Sequence, residues 1–196
     1  MYVPKKFKES DPIRLNELIS SYPFGSLITF DNGRPFASHI PFISDENGLL
    51  CHLAKANPQC GHLRQRNEVL CVFQGPHSYV SPSWLESPGV PTWNYAVVHV
   101  YGVPSTIEAT SALASLVERF PRHFEAGSPD PWKPNYDERL LSAIIGIEIR
   151  ITEIQGKFKL SQNRPLVDRR NVIARLESAG DALSMGIAEL MIKDTP

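Results

Sequence analysis

Apolar residues along this chain fall into short runs, cut apart by Gly, Pro and Asn signals. Ile13, Leu15, Leu18, Ile19 and Tyr22 recur at helical spacing. They predict an amphipathic helix over 12–21, capped by Asp11, with Pro12 at the first position, where a missing N–H costs nothing. Two strand patterns follow, Phe24–Phe30 and Pro35–Ser44. Asp31-Asn32-Gly33-Arg34 joins them, and Asn-Gly suits the φ > 0 positions of a tight hairpin turn. Asp45-Glu46-Asn47-Gly48 then turns the chain into a third strand, Leu49–Ala54. Asn57-Pro58 opens a short helix ending near Asn67. Glu68–Gln74 is almost wholly apolar and predicts a strand buried on both faces. Thr92–Glu108 predicts a long strand with a bend or bulge at Gly102 and Pro104. Helices are expected over Ala109–Phe120 and Asp137–Ile145, around a polar, Pro-rich loop at Glu125–Asn135. A sixth strand, Gly146–Gln155, precedes a helix pair at 166–178 and 181–192.

Strands joined by hairpin turns pair antiparallel, and six or more such strands avoid open edges by closing on themselves. The expected fold is therefore mainly β with flanking helices (α+β), an antiparallel split or Greek-key barrel. The barrel domain is expected to span 1–165, with 166–196 as a helical appendage packed on it.

Composition narrows the function classes. The chain has 196 residues, enough for a core without disulfides or metal. A net charge of −1 gives no general attraction to nucleic acid or to an anionic membrane. Cys51, Cys60 and Cys71 are an odd count in strand-like or helical segments, which points to reduced thiols and a cytoplasmic setting. No apolar run is long enough to span a bilayer. Cys60-x-His62 lies within a helix, where i and i+2 diverge, so no metal is expected.

The remaining signals concern a ligand. In Leu50–Gln59 a strand end, Lys55 and a capped helix start come together, a combination that suits a phosphate. The same residues also read as a solvated lysine beside an ordinary Asn-Pro cap. Pro41 interrupts the pairing of Ser38-His39-Ile40-Pro41-Phe42 and exposes backbone groups that can read a ligand edge, or protects an edge strand. Phe73–Gly102 is dense in Trp, Tyr, Asn and Pro, a mixture that suits a flat aromatic ligand with a polar rim. Gly156–Arg164 is basic and amide-rich. The second C-terminal helix carries Asp181 and Glu189 and lacks the basic face of a DNA-reading helix.

Long stretches of the chain, among them His39-Ile40-Pro41-Phe42, His52-Leu53-Ala54-Lys55-Ala56-Asn57-Pro58-Gln59, Val90-Pro91-Thr92-Trp93-Asn94-Tyr95 and Lys159-Leu160-Ser161-Gln162-Asn163-Arg164, resemble the PaiB-type family. That family is described as FMN-binding negative transcriptional regulators. The resemblance implies a homodimeric FMN-binding split barrel, similar in fold to pyridoxamine-phosphate oxidases, with the flavin at the subunit interface. It places the phosphate at Ala54, Lys55 and Asn57, in the segment that His52 opens. His39, Ile40, Pro41 and Phe42 would line the isoalloxazine edge. Thr92, Trp93 and Asn94 would approach from the partner subunit or cap the ring, and Lys159 and Gln162 would close the site. Two functions are then open: a regulator acting through a flavin-binding dimer, or an FMN-dependent oxidoreductase or flavin reductase on a small molecule. No catalytic residue is singled out.

Overall fold

The computed structural model describes residues 1–195. Eight strands form one antiparallel sheet: β1 Lys8–Glu9, β2 Phe24–Asp31, β3 Arg34–Pro41, β4 Ile43–Asp45, β5 Gly48–Ala54, β6 Val69–Val80, β7 Thr92–Ile107 and β8 Ile144–Lys159. The helices are α1 Pro12–Ser21, α2 Gln59–Arg64, α3 Thr110–Phe124, α4 Leu166–Ala179 and α5 Ala182–Lys193. The strand order is β3-β2-β6-β7-β8-β5-β4, with β1 added on β8. This is the expected split-barrel class of fold.

By its contacts the chain divides into two compact units. One comprises Met1–Tyr22, Phe73–His99 and Gln155–Pro196, the other Pro23–Val72 and Val100–Ile154. Each of the long strands β6, β7 and β8 contributes a stretch to both.

The second unit is a barrel. Its sheet path begins at β3 and ends at β4, and only Phe42 separates these strands in the chain. The path must therefore curl round until its ends meet. Phe42 turns inward at this corner, 1% exposed, and its N–H donates to the Pro23 carbonyl at 2.9 Å. The interior is filled by Leu27, Leu49, Cys51, Leu53, Cys71, Ile145, Ile147 and Ile149. At the β2–β3 hairpin, Asn32 and Gly33 have φ of 50° and 78°, the left-handed pair this tight turn requires. Helix α3 covers the outside, packing Leu116 and Phe120 on Ile43, Leu50 and Ile107.

In the first unit, Leu15, Leu18 and Ile19 of α1 are buried, as are Val172 and Leu176 of α4 and Ile187 and Met191 of α5. The α4–α5 turn uses Gly180 at φ 71°, and Asp181 caps α5 by accepting from the Leu183 and Ser184 N–H groups.

Several expectations need correction. The run 35–44 is not one strand, because the chain changes partners at Phe42. The strand from Val69 alternates: Val69, Cys71 and Phe73 are buried, Leu70 and Val72 half-buried. As expected, β7 is one long strand, Thr92–Ile107, and it runs on through Gly102 and Pro104. A β-carbon at Gly102 would sit 2.5 Å from Ile149 Cγ2 and 2.7 Å from the Arg150 carbonyl oxygen, so glycine is needed for the approach of β8. Residues Glu138–Ala143 form a 3-10 turn rather than an α-helix, and β8 runs past both expected ends.

Phe42→Ala should cost about 3–5 kcal/mol, as for a large side chain removed from a packed interior. Phe30→Ala, at a side chain 65% exposed, should stay within about 0.5 kcal/mol. Urea unfolding of both variants checks the contrast.

Candidate functional site

In the barrel unit the candidate residues gather where β3 meets the turn after β5. Strand β3 pairs with β2 from Phe24↔Pro41 to Asp31↔Arg34. Across this pair His39 Nδ1 lies 2.9 Å from Ser26 Oγ, and His39 is exposed. The neighbouring Ser38 hydroxyl accepts a hydrogen bond from Asn57 Nδ2 at 2.9 Å. That bond ties β3 to the turn beyond β5, so Ser26, Ser38, His39 and Asn57 form one polar corner.

The turn itself is closed by the chain. The Lys55 N–H donates to the Ala143 carbonyl at 2.8 Å, and the Asn57 N–H to the Ala54 carbonyl at 2.9 Å. Asn57 Oδ1 accepts the Gln59 N–H at 2.9 Å, while the Cys60 and Gly61 N–H groups reach the Asn57 and Pro58 carbonyls. The first-turn donors of α2 are thus spent, and α2 has only six residues. An anion here would meet the Lys55 ammonium, which is exposed and has no ion-pair partner among the described residues. Beneath the turn, Gln59 is fully buried. Its Nε2 donates to Leu27 O at 2.9 Å and Thr29 Oγ1 at 3.1 Å, whereas Oε1 is buried without a partner. Ser26, Ser38 and Gln59 were not singled out from the sequence. Serines in a strand and a helical glutamine carry no sign of this convergence until β2, β3 and α2 are paired in space.

Two residues of the expected set are placed elsewhere. Phe42 packs inside the barrel and leaves the rim to His39, Ile40 and Pro41. His52 lies on the outer face of β5, where its ring meets Phe120 edge-on at 5.1 Å. Together with Phe120, Phe124 and Trp132 it lines an apolar cleft of about 380 Å³. Its Nδ1 is buried without a partner, and burial lowers its pKa from the ordinary imidazole value. Burial also pushes the Cys51 and Cys71 thiols upward, so neither is a thiolate at neutral pH.

The first unit holds the other five candidates. Trp93 is 53% exposed and lies 6.1 Å from Tyr79 and 6.2 Å from His77, ring centre to ring centre, making an aromatic ledge. Lys159 Nζ donates to Thr92 Oγ1 at 2.7 Å and to the Trp93 carbonyl at 2.5 Å. Asn94 is fully buried, with its Nδ2 on Ser161 Oγ at 3.0 Å and Met191 Sδ at 3.4 Å. Gln162 closes a local turn, accepting from the Leu160 N–H and donating to the Phe158 carbonyl, both at 2.7 Å. The structure therefore brings Thr92, Trp93 and Lys159 together by direct hydrogen bonds, and commits Asn94 and Gln162 to the unit's own framework.

An antiparallel split barrel with a polar, lysine-bearing corner defines the class of protein. Among solved structures the fold is similar to a flavocytochrome, Anf3, of Azotobacter vinelandii. The TM-score is 0.66 at 16% identity, over 80% of this chain and 72% of that one. It is also similar to an FAD and heme binding protein of Mycobacterium smegmatis, with TM-score 0.60 and 18% identity over 78% and 73% of the two chains. These likenesses concern the fold. In sequence, residues 1–153 match the family described as "Putative FMN-binding domain". The protease synthase and sporulation protein PAI 2 of Bacillus subtilis is 35% identical over 201 positions, 97% of this chain and 96% of that protein. A protein of Aspergillus fumigatus is 32% identical over 96% of this chain and 95% of its own length. The chain belongs to this PaiB-like flavin-binding family, as its motifs led one to expect.

The lowered pKa of His52 gives a signed expectation. A group whose folded pKa is depressed adds stability above its unfolded value, about 6.5, and loses it as pH falls. His52 should titrate below 6.5 by NMR, and unfolding should need less urea at pH 5 than at pH 7.5. His52→Gln should flatten that slope; an unchanged slope contradicts it.

Proposed function

We propose that the protein binds FMN as a homodimer and acts as a PaiB-type negative regulator through its flavin-bearing dimer. The observation that carries the flavin reading is Lys55. It is an exposed ammonium without a carboxylate partner among the described residues, on a turn that Asn57 fastens to the strand bearing Ser38 and His39. Lys55 would neutralise the FMN phosphate. Ser38 and His39 would offer hydrogen-bonding groups along β3, while Ile40 and Pro41 would present apolar atoms to the ring. Trp93 is the exposed aromatic that one subunit would offer to the flavin of the other. Bound FMN supplies reversible acceptance of a hydride or of single electrons. The chain's part is to hold the cofactor and to shield it.

A second reading, an FMN-dependent oxidoreductase, is favoured by one observation. Helix α5 buries Ser184, Ile187, Ala188 and Met191 and exposes Leu183, Met185 and Ile192, so it has no basic face to lay in a DNA groove. The solved structures of similar fold include a flavocytochrome and an FAD and heme binding protein, which agrees with redox use of this scaffold. Regulation without DNA contact by α5 would run through another surface, through a partner or through the flavin's redox state.

Titration with FMN and with riboflavin tests the flavin claim. Lys55→Ala should weaken FMN roughly 10- to 100-fold, the loss expected for one charge-assisted contact, and leave riboflavin nearly unchanged. Equal losses would move Lys55 away from the phosphate. Absence of binding at saturating FMN would end the reading. Oxidation of reduced nicotinamide in the presence of FMN, without a salt-dependent DNA shift, selects the oxidoreductase.

A further inference from the structure

We propose that the first unit carries a second binding site, for a small amphipathic oxyanion: a carboxylate or phosphate head with a short apolar tail. The site is a cleft of about 150 Å³ in which Lys159 and Arg164 face the same space as Val80, Leu85 and Val90. All of its lining residues belong to one unit and none comes from the Lys55 turn, although Thr92 and Lys159 are among the residues that the family resemblance offers to the flavin.

Two features point to an anion and a third to its apolar tail. The first is an excess of positive charge, Lys157, Lys159 and Arg164 against the one carboxylate of Asp168. Lys159 is held below the ordinary ammonium range by burial, then by the neighbouring charges of Lys157 and Arg164. Lys157 faces aromatic rings, 5.3 Å from the centre of Tyr95 and 5.7 Å from that of Tyr2. The carboxylate beside Arg164 belongs to Asp168; it offsets part of the Arg164 charge, while its oxygens accept from the Glu86 and Ser87 N–H groups and from the Ser87 hydroxyl and make no hydrogen bond to the guanidinium. Like charges gathered in a partly dry cleft repel one another, and an anion between them removes that cost.

The second feature is donors to spare. An ammonium has three N–H bonds, and Lys159 spends two on Thr92 Oγ1 and the Trp93 carbonyl. Arg164 directs Nη1 to the Pro88 carbonyl at 2.8 Å and to the Ser87 hydroxyl at 3.4 Å, and among the described residues its Nε and Nη2 make no hydrogen bond. Gly89 packs beside the fork, where a β-carbon would stand 3.1 Å from Arg164 Nη2 and crowd it. A guanidinium fork beside an ammonium suits the paired oxygens of a carboxylate or phosphate.

The third feature is the apolar lining and the size. Val80, Leu85 and Val90 give an alkyl group something to pack on. The volume has room for a head group and a few carbons, about five times the share of one liquid water, and not for a flavin ring.

The test is an NMR titration of the full chain with acetate, butyrate and inorganic phosphate, at constant ionic strength set by chloride. The backbone N–H signals of Thr92 and Asn163 and the Lys159 side chain should shift and saturate. Butyrate should bind roughly tenfold more tightly than acetate, as two added methylenes dictate. Lys159→Met should weaken binding at least about tenfold, and Arg164→Lys, which keeps the charge but removes the fork, should weaken carboxylates as well. Saturation by a carboxylate or by phosphate supports the site and identifies the head. Shifts that rise linearly for all three anions overturn it, as do saturable shifts that neither variant alters. Saturation here without FMN binding separates this site from the flavin reading.

Discussion

The constraint on which the barrel depends is the single residue between β3 and β4. These strands lie at opposite ends of the sheet path, yet Phe42 alone connects them. The sheet can satisfy that only by curling into a barrel. The corner is held by the Phe42 ring in the interior and by its N–H on the Pro23 carbonyl. Pro41 just before it cannot donate to a ladder, which suits a strand that is about to leave its partner. A change of sheet partner, a buried aromatic and a proline thus meet within two residues.

The same closure creates the polar corner. Curling brings β3 up to the end of β5, and Asn57 joins them through Ser38. Because Asn57 Oδ1 also holds the Gln59 N–H where α2 begins and the Lys55 backbone is pinned to Ala143, the Lys55 side chain projects from a fixed turn. Fixed donors and charges bind an anion with less ordering cost than mobile ones. In the first unit the fixed element is Lys159, clamped to Thr92 and Trp93, with Asn94 and Ser161 making a buried polar joint behind. Both regions therefore present cations on backbone that cannot easily move.

Much of this was legible in the chain. Asp11-Pro12 and Asn32-Gly33 carry their own stereochemistry, and α1 and the β2–β3 hairpin start and turn where those residues dictate. The interruption at Pro41 was legible too, and its consequence was not: a break in one strand does not tell which strand the next segment joins. The lengths of β6 and β8 were hidden for a related reason. Gly75-Pro76 reads as a stop, but β6 pairs with β2 only at Leu70–Val72, and Pro76 lies beyond that stretch. Lys55 and Asn57 could be chosen from local order alone. Gln59 could not, because its burial depends on Leu27, Thr29 and Phe36 from the hairpin. His52 shows the opposite limit. It shares a motif with Lys55, yet strand alternation sends it to the face under α3.

The central claim is that barrel closure builds a phosphate corner from the Lys55 turn and β3. A crystal structure of the protein saturated with FMN tests it most directly. The account predicts the phosphate within hydrogen-bonding distance of Lys55 Nζ, and the ring edge along His39, Ile40 and Pro41. Flavin bound with its phosphate elsewhere, or the Lys55 turn left empty at saturating FMN, would contradict it.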